Sequence, residues 1–158
     1  MEGWEQARRR YRLVHDVAGD VARNGPGAVA EWLPAIEAEF GDLGELLHDV
    51  QRRLQTAAEA RLDALIEAPP AHPEASVMAV LDEVAETHPD LRRLVDAYAS
   101  HPAVAEGTAR FHRAVRAATG VDLTQVRSDR SRYEEKGSSR DRKPAFRLGL
   151  RPVCAWLH

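Results

Sequence analysis

A chain of 158 residues, 44% hydrophobic and 30% charged, is long enough for one core without staples, and its single cysteine, Cys154, makes neither a disulfide framework nor a paired-cysteine zinc site. No run approaches the ~18 apolar residues of a membrane span, and the first twenty residues alternate charge with bulk, so a cytoplasmic protein with no membrane partner is expected. The net charge of −3 hides two unlike parts: residues 1–124 carry 13 arginines, no lysine and 21 acids, net −8, whereas residues 125–158 carry nine basic residues and four acids, net +5. An acidic body is a poor nucleic-acid platform, while a basic tail can bind phosphates or lie on that body.

The first element is a helix from about Glu2 to Arg23. Trp4, Ala7, Tyr11, Val14, Ala18 and Val21 step by three and four, which predicts one stripe facing a core. Arg8, Arg9, Arg10 and Arg12 wrap around this helix instead of forming a stripe, so they are expected to pair with carboxylates elsewhere. Asn24-Gly25-Pro26-Gly27 ends it with turn chemistry. From Ala28 to Phe40, Val29, Trp32, Leu33, Ile36 and Phe40 keep helical spacing, but Pro34 predicts a kink or a split at Leu33.

The longest helical pattern runs from Asp42 to Glu67. Leu43, Leu46, Leu47, Val50, Leu54 and Ala57 lie within about 40° of one line at 100° per residue, and Asp42 with Glu45 reads as a capping box. At 1.5 Å per residue this helix is about 38 Å long, so the other helices must pack on it. A stiff proline-rich link, Pro69 to Pro73, follows. Three helix starts then share one form, His72-Pro73, His88-Pro89 and His101-Pro102, each placing proline where its missing N–H costs nothing. Their core residues are Val77, Val80, Leu81 and Val84; Leu91, Leu94, Val95 and Tyr98; and Val104, Phe111, Val115 and Ala118. Gly120 closes the last.

From Gln125 the periodicity dissolves. Residues 127–144 are charged and small, with Tyr133 the only sizeable apolar group before Pro144, which predicts disorder. The tail then has two halves: a cationic cluster, Arg140, Arg142 and Lys143, and an apolar segment with Phe146, Leu148, Leu150 and Trp156. The first fits an acidic partner or a phosphate backbone, the second fits a docking peptide, and an inert linker accounts for either.

Histidines and carboxylates invite a metal reading. Glu45 and His48 have the Glu-x-x-His spacing of di-iron bundles, but they lie about 140–200° from Leu43, on the side away from the buried stripe, and no second such pair exists. His15 and His112 border their apolar stripes and read as packed boundary residues more readily than as ligands. No phosphate-cradling glycine loop or nucleophile elbow is present. No cofactor, metal ligand or catalytic residue is therefore assigned.

The expected fold is all-α, a compact bundle of about six helices around a long central helix (residues 1–124), with a disordered basic C-terminal tail (residues 125–158). The function expected is a non-catalytic protein-interaction or regulatory module with an unidentified protein partner. Nucleic-acid association through the tail, a helical-bundle metal enzyme or carrier using the boundary histidines, and self-association stay open beside it.

Overall fold

A computed structural model of the chain describes residues 2–126, with side chains from residue 3 onward. Among these residues the fold is all-α, with no strand. Six helices follow in order: α1 (Glu2–Asn24), α2 (Val29–Phe40), α3 (Leu43–Glu67), α4 (Pro73–Thr87), α5 (Pro89–Ala97) and α6 (Pro102–Thr119), with a 3₁₀ turn at Pro26–Ala28 between the first two. The long helix is central, as its length requires: α3 touches α2, α4, α5 and α6, while α1 packs on α5 and α2. Of the expected tail, residues 125–158, Gln125 and Val126 fall inside the described residues, in a helical turn, and residues 127–158 lie outside them.

The caps explain the boundaries. Gly25, Gly41 and Gly120 take positive φ where α1, α2 and α6 stop, a conformation that side-chain-bearing residues resist. Asp42 accepts the Glu45 N–H at 2.9 Å, so the carboxylate half of the expected capping box is formed; Glu45 itself stays exposed. Proline opens each of α4, α5 and α6 as the His-Pro pattern predicts, and His101 adds a contact of its own, its Nδ1 accepting from the Ala103 N–H at 3.3 Å.

Pro34 corrects the sequence reading. Helix α2 runs unbroken through it. The lost bond is the one to the Ala30 carbonyl, and both Ala30 and Pro34 are exposed, so water can replace the missing donor. Val29 and Ile36 anchor the helix in the core on either side, and Trp32 Nε1 donates to Asp20 Oδ2 at 2.8 Å, tying α2 to α1. Tyr98, just past α5, clamps the α1–α2 turn by donating to the Pro26 carbonyl at 2.9 Å.

The core follows the stripes of α3 to α6. Leu46, Leu47, Val50, Leu54, Leu81, Leu94 and Phe111 are buried, and the chain beyond α6 still contributes Val121 and Leu123 before one helical turn at residues 123–126. Ala118, expected inside, is exposed. Polar contacts enter it too. Gln51, 4% exposed, sends its Nε2 across from α3 to the Val104 carbonyl (3.0 Å) and Thr108 Oγ1 (2.8 Å) of α6, and Gln55 reaches the Gly107 carbonyl at 3.1 Å. Gly107 makes room: a Cβ there would stand 2.0 Å from Gln51 Oε1.

Candidate interaction face

The first half of α1 departs from the expected stripe. Val14, Ala18 and Val21 are buried with Leu13 and Val17, but Ala7 is exposed, Trp4 is 68% exposed and Tyr11 52% exposed. Measured around the helix from Trp4, the buried set centres near 250°, whereas Arg8, Tyr11 and His15 all lie within about 40° of Trp4. They form a flank beside the core.

The flank is organised by contacts between rings and cations. The Arg8 guanidinium lies 5.6 Å from the centroid of the Trp4 ring, one turn away. Tyr11 and His15 rings stand 4.4 Å apart at 49°, and Arg53 of α3 sits over Tyr11 at 5.4 Å. Asp49 fixes that arginine by accepting from Arg53 Nε at 2.7 Å, and also accepts from Arg52 at 2.6 Å. Burial pushes the Asp49 carboxyl up, but the two guanidinium hydrogen bonds outweigh it and hold it below the ordinary carboxylate value. The His15 imidazole is likewise held below its ordinary value. The Tyr11 side shields part of it from water, Arg53 and His88 add positive charge, and Asp16 and Asp90 pull the other way without cancelling them.

The four arginines in the first half of α1 separate in role. Arg9 pairs with Glu39 at 2.8 Å, and Arg10 donates to the Glu39 carbonyl at 2.8 Å while lying 5.0 Å from the Phe40 ring centroid, so these two bind α1 to the end of α2. Arg8 serves the Trp4 ring. Arg12, and Glu5 next to Trp4 in the chain, have no ion-pair or hydrogen-bond partner among the described residues. The expectation of carboxylate pairing thus holds for Arg9 alone.

Elsewhere, the grooves lined by described residues include two shallow ones. One, of ≈ 400 Å³, runs along α6 and is lined by Thr108, His112, Arg113, Arg116, Asp122 and Thr124; Arg116 closes part of it by pairing with Asp122 at 3.1 Å. The other, of ≈ 130 Å³, is apolar and lies between Leu65, Ile66, Pro69, Pro73 and Ala118. His112 therefore lies in the α6 groove while His15 lies on the α1 flank. Glu45 is exposed and His48 half-buried, and among the described residues no three His, Cys, Asp or Glu side chains gather to hold a metal ion. Arg140, Arg142, Lys143, Phe146, Leu148, Leu150 and Trp156 lie outside the described residues. No helix among the described residues is long and apolar enough to cross a membrane.

Compared with models of known protein families, with characterised proteins and with solved structures, the chain matches none.

Proposed function

We propose that this chain is a non-catalytic helical interaction module of the cytoplasm, and that the α1 flank is its docking surface. The observation that carries the reading is the exposure of Trp4 and Tyr11 on one side of a single helix, each with a guanidinium over its ring. Tryptophan, tyrosine and arginine are the residues that most often dominate interface energies: the two aromatics bring a large contact area at a small cost in side-chain entropy, and arginine adds a planar charged group that stacks on rings and donates several hydrogen bonds. The arginines keep the rings soluble until a partner replaces water on them. The tail readings, a docking peptide or a nucleic-acid arm, rest on sequence alone.

The test is site-specific photocrosslinking in the native cell, with a photoreactive side chain replacing Tyr11 in one chain and Glu59, an exposed residue of α3, in another. Discrete adducts at position 11 and none at position 59 are expected. Equal labelling at both positions would refute the assignment of the surface.

A further inference from the structure

The flank described above is self-complementary, and we infer that its occupant is a second copy of this chain, with two α1 helices pairing antiparallel about a twofold axis near residues 8 and 9. This inference rests on the α1 flank being a docking surface and adds the identity of what docks.

Glu5 and Arg12 carry it. They lie on the same side of α1, about 100° and 80° around from Trp4, seven residues or about 10.5 Å apart along the axis. Both lack a partner among the described residues. In an antiparallel pair related by a twofold axis, flanking positions on the same side of each helix face one another, and residues whose numbers share one sum stand at the same height. The axis that sets Glu5 opposite Arg12 of the second copy also sets Arg12 opposite Glu5 of that copy. The same register puts Trp4 at the height of position 13 of the other helix, level with the space between residues 11 and 15, so the most exposed aromatic group among the described residues lies against the stacked Tyr11–His15 pair. Charge and shape specify one register.

Arg8 makes the like-charge encounter nearest the axis. The two copies meet near the axis, but each guanidinium is drawn back over its own Trp4 ring, away from its twin. Arg9, at the same height, is turned aside by Glu39. A nucleic acid fits the flank less well, because Glu5 and Asp16 stand exposed beside the rings on a body of net −8. A single helix flank buries less than the roughly 800 Å² per partner of a standard stable interface, so association belongs in the micromolar range.

Sedimentation velocity of the full chain, from low micromolar to near-millimolar concentration, reads this directly. Wild type should shift from monomer to dimer, and Trp4→Ala should stay monomeric. Glu5→Arg and Arg12→Glu each turn two attractions into two repulsions and should weaken the dimer by about tenfold or more. Mixed together they are complementary again, so the mixture should dimerise where neither variant alone does. That recovery cannot come from misfolded chains. Two results would overturn the inference: wild type monomeric throughout, or a mixture no better associated than its components. Crosslinks at position 11 to a different protein, with the chain itself monomeric, would end the self-pairing while leaving the docking surface in place.

Discussion

Replacing Gly107 by alanine tests the closest approach in the fold. On an isolated helix the change stabilises by about 0.8–1.0 kcal/mol, since alanine is the best helix former and glycine among the worst. Here the new Cβ would meet Gln51 Oε1 at 2.0 Å and its Cδ at 2.7 Å, so the Gln51 amide must move. Moving it breaks the bonds to the Val104 carbonyl and Thr108 Oγ1 inside the core. Two buried hydrogen bonds at roughly 1 kcal/mol each, with about 1–3 kcal/mol for overpacking, exceed the helix gain, and a net loss of about 2–4 kcal/mol is expected. The sign depends on the neighbour. In a Gln51→Ala background the obstruction is gone, and Gly107→Ala should then stabilise by up to about 1 kcal/mol. Urea unfolding of the four chains, wild type, both singles and the double, gives the coupling energy. If Gly107→Ala had the same effect in both backgrounds, the contact between Gln51 and Gly107 would not be what fixes glycine at this position.

Other outcomes follow from the same structure. Leu54→Ala and Phe111→Ala should each cost about 2–5 kcal/mol, and Leu123→Ala as much, because Leu123 is fully buried although it lies beyond the last long helix; denaturant melts decide this. Asp42→Ala removes the bond to the Glu45 N–H and should cost about 1 kcal/mol, whereas Asp42→Asn should cost less, as thermal melts will show. His15, whose folded imidazole is held below its ordinary value, favours the neutral form; its contribution is therefore complete above the unfolded value of about 6.5 and is lost as pH falls through the lower folded value. Melting temperature measured across that window should fall less in His15→Gln than in wild type, and an unchanged slope would remove His15 from the explanation.

The helices were legible because each carries both a period and a stop. The His-Pro starts, Asp42 and the three positive-φ glycines set boundaries that no tertiary contact was needed to decide. Pro34 was not legible in this way, since its effect depends on whether the Ala30 carbonyl faces water, a fact of packing. The exposure of Trp4 and Tyr11 was missed for a similar reason. Spacing of three and four says that Trp4, Tyr11 and Val14 are near one another on a helix, but α1 is longer than the body that covers it, and periodicity has no term for what lies opposite. Of the interior polar contacts, Gly107 was the available signal: a glycine in mid-helix is unfavourable unless something must come close. Gln51 could not be paired with it from spacing, because the two are joined only when α3 and α6 meet.

The packing of α1 on α5 has a consequence for how the protein is made. Helix α1 is synthesised first, and α2 soon covers one of its sides, yet the surface that receives Leu91, Leu94 and Val95 waits until Ala97 has been added, 73 residues after Asn24. At translation rates of about 5–20 residues per second, the apolar side of α1 is uncovered for roughly 4–15 s on every ribosome. During that interval neighbouring nascent chains on one message present the same bare helix to each other, and the like charges of Arg8, Arg9, Arg10 and Arg12 in its first half oppose indiscriminate clumping.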